Sequence, residues 1–141
     1  MKYEKSCGVI PFTERDGETV FMLIRSFRRE FGFPKGHMEG AETELETAAR
    51  ELKEETNTTA EILDGFRVQI EYPLPKKPDT IKQVVYFLGK YTGGDPIPQD
   101  GEVQEIVFLP YEKAQDSISF ASVKEVFRAA HDFLVDGKGN L

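Results

Sequence analysis

The stretch from Gly36 to Thr58, GHMEGAETELETAARELKEETNT, constrains this chain more than any other. It reads as a loop, a helix and a stop. Phe33-Pro34-Lys35-Gly36 is a stiff approach, because Pro34 fixes one backbone angle and Gly36 permits close approach of another group. Thr43 and Glu46 have the spacing of a capping box, which predicts a helix starting near Glu44. Asn57 suits the left-handed position that ends a helix.

At about 100° per residue, Leu45, Ala48, Ala49 and Leu52 fall on one apolar face, with Glu51, Glu54 and Glu55 on an adjoining arc. Glu51 stands three residues from Glu54 and four from Glu55, and like charges at those spacings destabilise an isolated helix. A divalent cation offsets that repulsion, since hard cations take several carboxylate oxygens. A solvated acidic face is the plain alternative. The glycine-bearing approach and the adjoining apolar stripe favour the cation. Arg50 relieves part of the charge, four residues from both Glu46 and Glu54.

These residues resemble the Nudix hydrolase signature, G-x5-E-x7-R-E-U-x-E-E-x-G-U, where U is bulky and aliphatic. Gly36, Glu42, Arg50, Glu51, Leu52, Glu54 and Glu55 stand in register with it. Asn57 replaces a glycine and Thr58 an aliphatic residue, and neither change touches a carboxylate. The resemblance implies an α/β chain: an α/β/α sandwich with a mixed sheet between helices and the signature helix against the sheet. Strands on either side of one helix, with a second helix near the end, suggest the same layers. They do not fix the topology.

With 141 residues, the chain is expected to form a single domain over residues 1–141, with 136–141 as a frayed polar tail. Eighteen basic and 25 acidic residues give a net charge of −7, which argues against a general nucleic-acid or anionic-membrane binder. An anionic substrate then needs local help from lysines, arginines or a metal. Neither a secretory leader nor a membrane span is visible, so a cytoplasmic location is expected. The single cysteine, Cys7, excludes an intramolecular disulfide and reads as a buried, inert thiol.

Along the chain, Ser6–Phe12 predicts a strand with Pro11 near its edge or end. Asp16-Gly17 signals a hairpin, and TVFMLI, residues 19–24, a strand buried on both faces. Arg25–Glu30 is a charged loop. Phe31, just ahead of the motif, is either core or a ring offered to a nucleobase. Ala60–Tyr72 is extended with a bend at Gly65, and PLPKKPD, residues 73–79, is a surface loop bearing Lys76 and Lys77. Lys82–Tyr91 and Ile106–Leu109 read as strands, with a loop over 92–101 between them. Residues 110–116 look like a turn of helix, and Phe120–Leu134 an amphipathic one carrying His131 as a structural residue.

The family resemblance implies hydrolysis of a phosphoanhydride with Mg²⁺, or Mn²⁺ as its substitute. Glu51, Glu54 and Glu55 are the expected metal ligands, joined by a backbone carbonyl at Lys35 or Gly36. Arg50 and Glu42 are orienting residues, for which ordinary helix ion pairs are the plain alternative. Glu102 is the expected base and a further metal contact, with Glu105 its competitor and Glu51 a second option. His37 and Lys35 flank Gly36, where His37 is either a donor to phosphate or a surface histidine.

Further features resemble the asymmetric diadenosine tetraphosphate hydrolases of that family. They are the run Pro34–His37, the helix segment Leu45–Glu51, Lys82 and Tyr86 on one strand, and Tyr72 ahead of Lys76 and Lys77. Glu102 with Phe108-Leu109, and more loosely Phe120 with Lys124, complete the set. They imply that Lys82 and Tyr86 contact phosphate and that Tyr72 stacks on adenine, a contact worth about 1–3 kcal/mol. Plain strand aromatics and solvated loop lysines are the alternatives. The implied reaction releases ATP and AMP from a small nucleotide. Rival readings are an RNA 5′-pyrophosphohydrolase, a diphosphoinositol polyphosphate or nucleoside triphosphate hydrolase, and a non-catalytic nucleotide sensor. Oligomeric state is unread.

Overall fold

The computed structural model describes residues 1–27 and 30–137; positions 28–29 of the charged loop and 138–141 of the tail lie outside them. Strands β1 (Lys2–Arg15), β2 (Glu18–Ser26), β3 (Phe31–Gly32) and β4 (Lys35–His37) precede helix α1 (Glu44–Thr56). Then come β5 (Thr59–Pro73), β6 (Thr80–Gly93), β7 (Val103–Pro110), α2 (Tyr111–Ser117) and α3 (Ala121–Val135). The sheet runs β3-β2-β1-β6-β5, with β4 on β1 and β7 on β2. β1 and β6 are parallel and the other pairs antiparallel, so the sheet is mixed.

Side-chain alternation divides the core into two layers. Val84, Tyr86 and Leu88 of β6 point with Phe21 and Leu23 towards Val123, Val126, Phe127 and Ala130 of α3. Val85 and Phe87 point the other way, with Cys7 and Val9, onto Ala48 and Leu52 of α1. The result is helix, sheet, helix, as the family pattern implies. Phe127 sits edge-on to Phe21 at 4.7 Å between ring centroids, and both are fully buried. Burial of a side chain of this size stabilises the fold by about 1.5–3 kcal/mol. Burial also pushes the Cys7 thiol up, in keeping with an inert cysteine.

Three expectations need correction. β1 does not end near Pro11. Pro11 falls between the β4 register (Ser6–Gly8) and the β2 register (Phe12–Arg15), on the side where the Val9 N–H bonds the Pro34 carbonyl, so its missing donor interrupts no ladder. The approach to the motif is not all loop, because Lys35–His37 pairs with β1. Of the apolar stripe of α1, Ala48 and Leu52 are buried as expected, but Leu45 and Ala49 are exposed, and Thr47 and Thr56 are buried in their place. The capping box of Thr43 and Glu46 and the left-handed Asn57 (φ 62°) both stand as expected. Gly65, at φ 92°, marks the bend in β5, within the register shift between Ile62 and Arg67.

Candidate active site

The rotation of α1 turns Glu51 and Glu55 inwards beneath β4. A Cβ on Gly36 would lie 2.1 Å from the Glu51 carboxyl carbon, so only glycine lets that carboxylate reach the β4 backbone. One residue earlier, the Lys35 N–H donates to Glu55 Oε1 at 2.9 Å. Arg50 donates to Glu42 at 2.6 Å, to Glu51 and Glu54 at 2.8 Å, and to the His37 carbonyl at 2.8 Å. It thus ties the helix to β4. The expected contact of Arg50 with Glu46 is absent from this set, because Glu46 accepts from the Thr43 N–H as the cap.

Three cavities join around these residues. The central one, about 410 Å³, brings together Lys35, Gly36, His37, Glu51, Glu54, Glu55, Lys82 and Glu102, with Ser6, Glu39 and Gln99. An inner cavity of about 260 Å³ shares Lys35, Glu55 and Glu102 with it and is walled by Phe31, Phe33, Tyr86, Phe120 and Val123. An outer cavity of about 480 Å³ shares His37 and Lys82 and adds Glu4, Leu74, Pro75, Lys76 and Lys77. Phe31 packs on the core and also lines the inner cavity. Tyr72 lies outside the three linings, exposed on β5 opposite Lys82. Lys124 is turned to the Gln115 carbonyl between α2 and α3. His131 stacks on Tyr111, with 3.8 Å between centroids.

The central cavity gathers more carboxyl groups than basic side chains. Burial pushes the Glu55 carboxyl up to about 8, held back by the Lys35 N–H and driven further by the Glu51 and Glu102 charges. Burial also raises Glu51, against the pull of Arg50. Lys35 is pushed down by burial and supported by Glu55 and Glu51. Lys82 is lowered by burial and then by Lys35. Its Nζ donates to Ser6 Oγ at 2.7 Å and meets His37 Nε2 at 2.9 Å. An ammonium has only donors, so this His37 nitrogen is the acceptor. Glu42, by contrast, is held at about 2, chiefly by Arg50.

Several hard oxygen donors gathered in one cavity fit Mg²⁺ or Mn²⁺ in kind. Among the described residues, no three acidic, histidine or cysteine groups stand close enough to hold one ion. The Arg50 guanidinium takes oxygens of Glu51 and Glu54, so a shared ion requires those carboxylates to turn from it. Glu102 lies in the turn before β7, at the junction of two cavities. Its competitor Glu105 is paired with Arg25 at 2.7 Å. Ser6, Glu39 and Gln99 went unread in the sequence; serine and glutamine carry no spacing signal, and Ser6 is brought in only by strand pairing.

Comparison with known proteins agrees with this geometry. The NUDIX domain family matches residues 2–129. The chain is 32% identical over 142 aligned positions to the rat bis(5′-nucleosyl)-tetraphosphatase (asymmetrical), covering 92% of this chain and 95% of that protein. It is 39% identical over 109 residues to an 8-oxo-(d)GTP phosphatase of Mycolicibacterium smegmatis, covering 77% of this chain. The chain spans about a third of that longer relative, 32% of its length. A crystal structure of a Caenorhabditis elegans Ap4A hydrolase binary complex superposes with a TM-score of 0.85 at 26% identity, covering 94% of this chain and 98% of that one. With the signature glutamates, the layered fold and the matching family domain in hand, the chain belongs to the Nudix hydrolase family.

Proposed function

We propose that this protein is a divalent-metal-dependent hydrolase of nucleoside polyphosphates that cleaves diadenosine tetraphosphate asymmetrically to ATP and AMP. The observation that carries this reading is the order of the cavities. An aromatic-walled pocket opens into a carboxylate and lysine chamber, which opens into a lysine-bearing pocket. That sequence of environments suits base, phosphates and a second nucleoside. The name of the rat relative supports the same substrate class.

Glu51, Glu54 and Glu55, with the Gly36 carbonyl and Glu102, are the groups that would hold Mg²⁺ or Mn²⁺. When bound, the metal supplies charge neutralisation and a water of lowered pKa. Glu102, clear of the Arg25 pair that occupies Glu105, takes a proton from the attacking water. Lys35 and Lys82 balance phosphate charge, and His37 contacts a phosphate oxygen. Tyr86 contributes its hydroxyl from the wall of the inner cavity, and burial holds that hydroxyl protonated. Phe31 offers a ring face to a base. Arg50 holds α1 against β4 and keeps the carboxylates aimed. In this reading the chain acts as one domain on small nucleotides in the cytoplasm. Among the described residues, no helix is long and apolar enough to cross a membrane.

A substrate panel with Mg²⁺ tests the proposal. It holds diadenosine tetraphosphate, 8-oxo-GTP and GTP, a 5′-triphosphorylated RNA, a diphosphoinositol polyphosphate and ADP-ribose, with products resolved by ion-exchange chromatography. Equal ATP and AMP from the dinucleotide, with little turnover of the others, is expected. Preferred turnover of a nucleoside triphosphate, which the mycobacterial relative's name would favour, overturns the substrate assignment.

A further inference from the structure

β5 is the last strand on its side of the sheet: among the described residues it pairs with β6 and with no strand beyond. Half of its backbone N–H and C=O groups therefore face outwards, an edge that can receive another strand. Proteins blunt such edges with lysine, proline or a bulge. In β5 a shift and a proline stand only at the two ends of one run. Gly65 lies in the register shift before the run and Pro73 closes it, and from Arg67 to Pro73 the register on β6 is unbroken. The run itself, Phe66-Arg67-Val68-Gln69-Ile70-Glu71-Tyr72, holds neither lysine nor proline.

This run is chemically symmetric about Gln69. Arg67 stands two residues before it and Glu71 two after, Val68 and Ile70 flank it, and Phe66 and Tyr72 form the aromatic outer pair. A two-fold axis through Gln69, normal to the sheet, lays a second copy of β5 antiparallel against the first. Arg67 of each copy then meets Glu71 of the other, and Val68 meets Ile70. Directly paired residues share a face, so the ion pairs fall on the side where Arg67 bonds Glu44 of α1, and the aliphatic pairs on the side of the α3 core. Arg67, Gln69 and Glu71 are exposed, and Val68 and Ile70 are only partly buried. Arg67 Nε and Nη2 are engaged by Glu44 and Gln69, which leaves Nη1 without a partner among the described residues. Glu71 Oε2 accepts from Gln69 and Gln83, which leaves Oε1 open among them. An open donor and an open acceptor, equally spaced from Gln69 on one face, are what a self-pairing edge requires. We propose that the outer edge of β5 is a docking surface for a second copy of this chain, which joins it two-fold about Gln69 into one continuous sheet, with Arg67–Glu71 ion pairs on both sides of the axis.

Sedimentation equilibrium of the full chain tests this. An edge of this length is small beside a standard interface of about 1,200–2,000 Å², so the dimer should be dissociable and should grow in between about 5 and 500 µM. Glu71→Lys sets two cations against each other at both ends of the pairing and should weaken the dimer by at least about tenfold. Arg67→Glu should do the same with two anions, while Glu44 keeps its ion pair with Lys5. Mixed in equal amounts, the two variants should associate as the parent does, because each offers the charges the other lacks. Circular dichroism and Tm check that both are folded. If Arg67→Glu disturbs the fold, Glu71→Lys decides alone, since the Glu71 side chain bonds only Gln69 and Gln83 among the described residues. A parent that stays monomeric across the range overturns the inference. A dimer indifferent to Glu71→Lys also overturns it, because the contact then lies on another face. So do two folded variants that fail to recover association on mixing. Association is read without substrate, so its outcome is independent of the reaction proposed above.

Discussion

At the scale of single residues, Gly36 decides most. The Glu51 carboxylate occupies the space a side chain there would need, with its carboxyl carbon 2.1 Å from the Cβ position. Gly36→Ala should therefore displace Glu51 from its place beside Lys35 and Glu55. Misplacing a catalytic group by about 1 Å costs on the order of 10²-fold in rate. We expect kcat on diadenosine tetraphosphate to fall by about that factor while circular dichroism stays that of the parent. A variant turning over at the parent's rate would show that Glu51 needs no such close approach. Gly36 and the glutamates were legible in the sequence because they sit at fixed spacing along one short stretch. Thr58 was legible only as a departure. Its buried hydroxyl is bonded to Thr56 at 2.6 Å, so the polar replacement leaves no orphaned group, and no pattern in the chain announces that pairing. Glu4 and Ser6 were illegible for a different reason: they enter the site through strand pairing with residues more than seventy positions away.

At the scale of elements, α1 is the informative case. Its start, end and acidic arc followed from caps and periodicity. Which face it buries followed only in part. The hydropathy stripe is buried at Ala48 and Leu52, but Leu45 and Ala49 are exposed and Glu51 and Glu55 are partly buried. A helix that must present carboxylates to an interior cavity gives up some apolar burial to do so. Glu44 fixes this rotation from the N-terminal end, taking two hydrogen bonds at 2.8 Å from Arg67 of β5 and an ion pair from Lys5 of β1. Those partners, Arg67 first, hold the Glu44 carboxyl at about 2, below its ordinary value of 4.5. A depressed carboxylate contributes stability that is present above the unfolded value and lost as pH falls through the folded one. Glu44→Gln should thus lower stability at pH 6, by about 1 kcal/mol for a partly solvated pair. The gap to the parent should close between about pH 4.5 and pH 2. Urea melts across that range check it; a gap independent of pH would mean that Glu44 acts by packing alone.

At the scale of the whole molecule, the site is an assembly of distant pieces. β1 and β4 supply the floor, α1 the carboxylates, the 99–102 turn Gln99 and Glu102, and the loop after β5 the lysines. The layers were legible from the order of elements. The parallel pairing of β1 with β6, which brings Lys82 to Ser6, was not, since sequence patterning carries faces and not neighbours. The central claim is that the buried carboxylates of this assembly hold a divalent ion at a phosphoanhydride. Hydrolysis of diadenosine tetraphosphate as a function of Mg²⁺ concentration, in the parent and in Glu55→Gln, tests it most directly. The parent should be inactive without divalent metal and rise to saturation with it, while Glu55→Gln should lose at least about 10²-fold in kcat at saturating Mg²⁺. Metal-independent turnover by the parent, or a Glu55→Gln variant as fast as the parent, would contradict the account.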